Sequence, residues 1–376
     1  MASIQIAIQK ARIDRCKNIR GLHARSGAQF IISSEVRQMF PFLPLPESLT
    51  NNSSFLEEDS VEGALTLQFF EGTLELAFTP RNLSSVTRVK HQPENKWKPW
   101  SIDFVNGAMA NRVRKSDNNS EMLVRAFGGK VHADGPSKWN TLLPTIIDLT
   151  AGMGKDSFIL ASVGGFRVIA IERNPVLAAM LGDAIRRLRT SEPYSGAGHR
   201  MTVLCMDSTD ARVPAYISDI LALSSVAPLY EASSTAETAN KCVQLPSDVS
   251  SKAASKVHTP AVQSEIGVYI DPMYPRASIG KRSAVRKDSQ VLRMLSAPFE
   301  SIDSGMHPGH YGDKADAALL ATARCLLDLS VGQRNRRSCA VVKRPNRAAT
   351  LGGELAKWRP SGRIEGSTHR YELYRL

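Results

Sequence analysis

Several things are scarce in this 376-residue sequence, and each scarcity excludes something. No apolar run approaches the roughly 20 residues that a membrane-spanning helix needs. The nearest, Phe158 to Ile171, is shorter and carries Arg167, so a transmembrane protein is excluded. The five cysteines (Cys16, Cys205, Cys242, Cys325 and Cys339) are odd in number, widely spaced and without a C-x-x-C pair. Neither a zinc knuckle nor a disulfide framework is supported, and reduced thiols are expected. No G-x-S-x-G occurs, which leaves a serine hydrolase without support. His307 and His310 in HPGHYGD are spaced like metal ligands but lack a third, so a polar loop and no metal are expected. No long apolar stretch of the secretory type begins the chain, which disfavours export.

Acidic residues are also in deficit. Lys and Arg number 48 against 36 Asp and Glu, a net charge of +12 with a pI near 9.6. That balance favours a polyanionic partner, through attraction to phosphates and release of their counterions. The remainder is ordinary for a globular protein, at 42% hydrophobic and 22% charged residues.

Residues 1–55 read as a basic extension: Lys10, Arg12, Arg15, Lys17, Arg20 and Arg25 face one acid, Asp14, within the first 34 residues. Such composition suits an organellar (mitochondrial) transit peptide or a flexible tail that touches RNA. Residues 56–135 read as a small N-terminal domain. In it Leu65, Leu67 and Phe69 alternate on one strand, and Leu74, Leu76 and Phe78 on the next, around a Glu71-Gly72 turn. Ser101 to Val105 (SIDFV) reads as a further strand.

Residues 136–376 change pattern. The strand at Ile146 and Ile147 runs into a glycine turn, then a helix, then a strand from Arg167 to Ile171, then Asn174-Pro175, a favoured helix start. That succession is a βαβ unit and calls for a parallel sheet. Residues 224–264 lose periodicity and read as a disordered insertion. Strands at Gly267–Ile270 and Cys339–Val342, a helix at Ala315–Leu329 and a last strand at Arg370–Leu376 complete the reading.

The chemistry concentrates in two places. The first is DLTAGMGKD, where Asp148 ends a strand and Gly152 and Gly154 let a ligand approach the backbone. Glu172 ends the next strand, placed to accept hydrogen bonds from both ribose hydroxyls of an adenosine. A P-loop would need glycine where Leu149 stands and Ser or Thr where Asp156 stands, and a dinucleotide loop would need glycine in place of Ser157. The dinucleotide loop would also set a pyrophosphate beside Asp148 and Asp156. S-adenosylmethionine, with a cationic sulfonium and an ammonium and no phosphate, suits acids around a glycine turn. The second place is VYIDPMYP. An exocyclic base amine is a poor nucleophile until its N–H groups are held. Asp271 and the carbonyl of Pro272 can accept those bonds, and Tyr274 can stack on the extruded base. The basic cluster Lys281, Arg282, Arg286 and Lys287 follows closely, with Lys343 and Arg344 at the end of a later strand, as candidate phosphate contacts.

With those motifs in order, DLTAGMGKDSFILASVGGFRVIAIERNPVLAAML, DPMYP, KRSAVRKD, VVKRP and, before them, SIDFVNGAMANR, the chain resembles the ribosomal RNA small subunit methyltransferase J family over most of residues 64–376. The resemblance implies a Rossmann-like class I S-adenosylmethionine-dependent methyltransferase fold (α/β). It implies methylation of a guanine N2 in small-subunit ribosomal RNA, with that RNA or the small ribosomal subunit as partner and the cytoplasm as compartment. It further implies that Lys155 and Asp156 stand at the family's Arg-Asp donor-binding pair, and Glu172 and Arg173 at its Glu-Arg pair. Asp207 and Ser208 stand at its Ser-Ser pair near the adenine, and Asp271 at the acid of its DPMF motif, with Tyr274 for Phe. Three rivals stay open on the residues: an adenine N6 methyltransferase, a nicotinamide-dependent oxidoreductase and a catalytically silent RNA-binding protein.

Overall fold

A computed structural model describes residues 28–32, 36, 39, 63–80, 99–116, 120–128, 144–226, 265–272, 308–329, 338–353 and 356–376. Strand β1 (Ala28–Ile32) lies parallel to β2 (Gly63–Phe70), which pairs antiparallel with β3 (Thr73–Pro80). The hairpin turns at Glu71 and Gly72, both left-handed at φ 49° and 74°. Two consecutive positive φ values match the twist of the flanking strands, and glycine takes the second at no steric cost. Strand β1 corrects the reading of 1–55 as an extension, because the ordered small sheet reaches back to Ala28; the basic residues before it lie outside the described residues.

SIDFV is not a strand. Only Trp100 bridges to β3, through a reciprocal pair of backbone bonds with Leu76 at 2.8 and 2.9 Å. The chain then turns on Asp103, whose Oδ1 accepts the N–H groups of Val105 and Asn106, and enters helix α1 (Gly107–Lys115), with α2 (Met122–Ala126) after it. Ile102 and Phe104 are buried on alternate positions, which mimics a strand without a ladder.

The larger sheet is built from β4 (Thr145–Asp148), α3 (Lys155–Ser162), β5 (Arg167–Glu172), α4 (Pro175–Arg189), α5 (Ser195–Arg200), β6 (Met201–Cys205), α6 (Val213–Val226), β7 (Ile266–Ile270), α7 (Pro308–Asp328), β8 (Cys339–Pro345), β9 (Gly362–Glu365) and β10 (His369–Arg375). The strand order is β6-β5-β4-β7-β8-β10-β9. The first five run parallel, and β10 is antiparallel to both β8 and β9. This is the Rossmann-like class I sheet, with β4 and β7 flanking the point where strand order reverses. Clefts for ligands open there, beyond the carboxyl ends of the strands. Strands β4 and β7 are buried at every residue, as a parallel sheet covered on both faces requires. Helix α4 starts on Asn174, whose side chain accepts the N–H groups of Val176 and Leu177, with Pro175 at the first helical position. Helix α7 begins at Pro308, so the polar loop expected around His310 is helical, and His307 lies outside the described residues.

Each face of the sheet carries one apolar cluster. Ile147, Ile169, Val268, Leu320 and Val342 belong to one. Phe158, Leu160, Val168 and Leu181 belong to the other, which continues without a break into Leu67, Leu74, Leu76 and Trp100 of the hairpin side. A polar tie reinforces that junction. Buried Asp183 on α4 accepts the Leu74 N–H at 3.0 Å and pairs with Arg187 at 2.9 Å and Arg186 at 2.7 Å, and Arg186 reaches the Gly72 carbonyl at 2.6 Å. Removing one partner of a buried pair leaves the others desolvated and unsatisfied. Asp183→Ala should therefore lower stability by about 3 kcal/mol in urea unfolding, and a loss under about 0.5 kcal/mol would show the tie to be dispensable.

Candidate active site

The chain leaves β4 at Asp148 and enters a loop anchored on both neighbours, with Leu149 N–H on the Tyr269 carbonyl at 2.9 Å and Ala151 N–H on the Ile171 carbonyl at 3.0 Å. Gly154 has φ 68°, and a Cβ there would lie 2.4 Å from Leu181 Cδ1 and 3.3 Å from Phe104, so both backbone and space demand glycine. Gly152, at φ 52°, faces open space, its hypothetical Cβ meeting nothing nearer than 4.0 Å. The loop therefore packs inward at Gly154 and stays clear outward at Gly152, as a cradle for a ligand must.

Asp148 sits beneath this loop and is almost wholly buried. Its Oδ1 accepts the Thr150 N–H at 3.0 Å and its Oδ2 the Ser157 hydroxyl at 2.5 Å, so it shapes the turn from below. Burial pushes its pKa up to about 7, against the two hydrogen bonds that favour the charged form. At the end of β5, Glu172 accepts the N–H groups of Gly152 at 2.8 Å and Asn174 at 2.7 Å, with the Arg173 backbone N–H a further donor. A carboxylate offers about four acceptor sites, so capacity for a ribose hydroxyl remains. Burial raises its pKa, opposed by those backbone bonds. Ser208, buried, donates its hydroxyl to the Leu149 carbonyl and thereby ties the loop after β6 to the loop after β4. Asp207 and Arg173 are exposed at the rim, and Lys155 is half-buried at the first position of α3.

Across the reversal point, Asp271 follows β7 directly, with buried Pro272 after it. Its backbone N–H donates to Thr150 Oγ1 at 2.6 Å, which joins the second motif to the glycine loop. Lys343 Nζ stands between two carboxylates, 2.8 Å from Asp156 Oδ2 and 2.9 Å from Asp271 Oδ2. The Tyr269 hydroxyl donates to the same Asp156 oxygen at 2.6 Å. Burial alone would raise the pKa of Asp156, but the Lys343 charge and these bonds hold it below the usual range. Burial, joined by the charge of Asp156, keeps Asp271 above the usual range in spite of Lys343. The two carboxylates overcome the cost of burying the Lys343 ammonium and hold its pKa above the ordinary value.

Two sequence expectations are corrected here. Lys343 is committed to Asp156 and Asp271 and is not a phosphate contact on the surface. Arg344, one residue on, points to the opposite face of the strand, where it is buried, donates to the Ala349 carbonyl at 2.9 Å and lies 3.7 Å from Asp316. Tyr274, Lys281, Arg282, Arg286 and Lys287 lie outside the described residues. What the hydroxyls of Thr150, Ser157 and Tyr269 bind carries no pattern in the sequence; only the fold shows what each reaches.

Five acids (Asp148, Asp156, Glu172, Asp207 and Asp271) thus gather at one sheet edge against Lys343, with Lys155 and Arg173 near them. Such a set favours a cationic ligand over a pyrophosphate. Among the described residues no group of three or more His, Cys, Asp or Glu is arranged to hold a metal, and no helix is long and apolar enough to cross a membrane.

Comparison with known proteins agrees with this chemistry. The family described as "Putative SAM-dependent methyltransferase" matches residues 71–228. Ribosomal RNA small subunit methyltransferase J of Photorhabdus laumondii is 30% identical over 302 residues, 80% of this chain and 86% of that protein. The chain belongs to the ribosomal RNA small subunit methyltransferase J family. A second methyltransferase J, from Alkalilimnicola ehrlichii, is 31% identical over 282 residues, 74% of each chain. A SAM-dependent methyltransferase of Neisseria gonorrhoeae has 20% identity and a TM-score of 0.47, over 92% of this chain and 94% of that one. For a methyltransferase J chain the cofactor is S-adenosylmethionine, and the residues fit it: an open glycine loop, a carboxylate with spare acceptor capacity at the second strand, and a surplus of acids.

Asp148 makes the buried edge sensitive to pH. Its pKa is about 7 when folded against an ordinary 3.8, so between those values the native state holds a proton that the unfolded chain has lost. Stability from this group therefore falls as pH rises through that window and levels off above about 7. Asp148→Asn keeps an acceptor for Thr150 and offers an amide N–H to Ser157, yet does not titrate. Urea midpoints at pH 5 and 8 should differ less in the variant than in the wild type; an equal difference in both would remove Asp148 as the source.

Proposed function

We propose that this chain transfers a methyl group from S-adenosylmethionine to the exocyclic N2 of a guanine in small-subunit ribosomal RNA. The observation that carries the reading is the 2.6 Å bond from the Asp271 N–H to the Thr150 hydroxyl, since it sets the amine-binding motif directly against the glycine loop. S-adenosylmethionine supplies, when bound, a methyl group activated by a cationic sulfonium. Gly152 makes room for it, Gly154 lets the loop pack close beneath it, Glu172 serves its ribose hydroxyls, Asp207 its adenine amino group, and Lys155, Asp156, Arg173 and Ser208 complete the surroundings.

On the acceptor side, Asp271 and the Pro272 carbonyl take the two N–H bonds of the guanine amine and turn its lone pair toward the methyl carbon. Tyr274 stacks on the base. The gain in rate comes mostly from this positioning. A methylated amino cation is acidic, so its proton leaves to Asp271 or to water. The raised pKa of Asp271 suits a group that receives a proton there. Lys281, Arg282, Arg286 and Lys287, which follow the motif, meet backbone phosphates. The methyltransferase J relatives named above are bacterial proteins, and we assign the cytoplasm as compartment.

The oxidoreductase reading loses further ground on Ser157. It stands where a dinucleotide loop needs its third glycine, and its hydroxyl is spent on Asp148. The test is transfer of labelled methyl to small ribosomal subunits that lack the modification, followed by nucleoside analysis. Label is expected in guanine N2, with Asp271→Ala slower by about 10²-fold or more. Label in adenine N6 would replace the proposed base, and donor binding without any transfer would leave a silent RNA-binding protein.

A further inference from the structure

We infer that Lys343 is a positioning residue for methyl transfer: its ammonium clamps Asp271 by Oδ2, leaving Oδ1 to the target amine, and ties that carboxylate to Asp156 on the helix that follows the donor loop. The inference rests on the reading of Asp271 as the group that receives the amine.

The placement follows from register. Strands β7 and β8 run parallel with Ile270 opposite Val342, so one step further Asp271 stands beside Lys343. Alternation along β8 sends Arg344 to one face, with Val342, and Lys343 to the other, with Val341 and the hairpin-side core. Lys343 is paired across the other edge with Tyr371 of β10, whose ring is buried, so the lysine stem is held between two strands and its head has little choice of direction. What it reaches is one carboxylate from each half of the site: Asp156 on the donor side and Asp271 on the acceptor side. A lysine joining both opposes the burial and the neighbouring acid that disfavour the charged form of Asp271, and fixes its direction toward the site.

The groups that act on Asp271 electrostatically are Asp156 of α3, Asp148 of β4, Tyr269 of β7, Lys343 of β8 and Tyr371 of β10, with Arg344 of β8 acting from the opposite face of the strand. Arg112 and His369 lie further out, within electrostatic reach of Asp156 and Lys343. Of these, Lys343 alone is in contact with the Asp271 carboxylate as a cation. Its removal must move the titration of Asp271 upward, because burial and Asp156 then act against the weaker pull of Arg344.

The experiment is the pH profile of kcat/KM for methyl transfer to small subunits by wild type, Lys343→Met and Lys343→Arg. Lys343→Met should be slower by about tenfold or more at pH 7, with its acid limb displaced to higher pH by about one unit. Lys343→Arg, which keeps the charge, should return the limb toward the wild-type position. A limb that stays in place in Lys343→Met overturns the inference whatever the loss of rate, since a merely structural lysine would lower activity at every pH alike. If the Met variant does not fold by circular dichroism, Lys343→Gln takes its place under the same criterion. Wild-type enzyme that methylates guanine while the limb is unmoved overturns Lys343 alone, whereas wild-type enzyme that transfers no methyl overturns the underlying reading.

Discussion

Lys343 Nζ lies 2.8 Å from Asp156 and 2.9 Å from Asp271, and the geometry of the whole sheet edge depends on that cation. Without it two carboxylates would meet where β4 and β7 diverge, a few residues from a third, Asp148, in surroundings that already penalise charge by burial. Carboxylates so placed would take up protons or move apart. With it, one stays firmly ionised, the other titrates high, and both are fixed in direction. The sheet supplies the cation only because β8 lies next to β7 in parallel register; an antiparallel neighbour would bring another residue to this point.

Around that cation the loops are tied to one another and not merely adjacent. The Gly152 N–H reaches Glu172, the Thr150 hydroxyl accepts from Asp271, and the Ser208 hydroxyl reaches the Leu149 carbonyl. These bonds join the ends of β4, β5, β6 and β7, so displacement of one loop is felt by all. Preorganised polar groups of this kind cost no reorganisation when substrates arrive. The hairpin joins the same body through the continuous apolar cluster and through Asp183, so that side of the molecule braces α4, the helix that follows Glu172.

Much of this was legible in the sequence. The glycine loop, the acid ending the second strand and the acid-proline motif ending a later one announce themselves by type and spacing. They stand at the strand ends where a parallel sheet opens its cleft. The unread parts share one cause: they depend on direction or on long-range pairing. Lys343 and Arg344 look alike as adjacent cations, yet strand alternation sends one into the site and buries the other beside Asp316. SIDFV has the alternating burial of a strand but no ladder beyond Trp100. Strand β1 is short, and its partner begins at Gly63, beyond the reach of a local pattern. Asp183 reads as one acid in a basic helix until the hairpin is set against it.

The most direct measurement is a crystal structure of the protein with S-adenosylhomocysteine and a guanine-containing fragment of small-subunit ribosomal RNA. We expect the donor ribose on Glu172, its sulfur on the Asp271 side of the glycine loop, and the guanine amine between Asp271 and the Pro272 carbonyl. A donor bound away from Glu172, or a guanine held with its amine turned from Asp271, would contradict this view of the site.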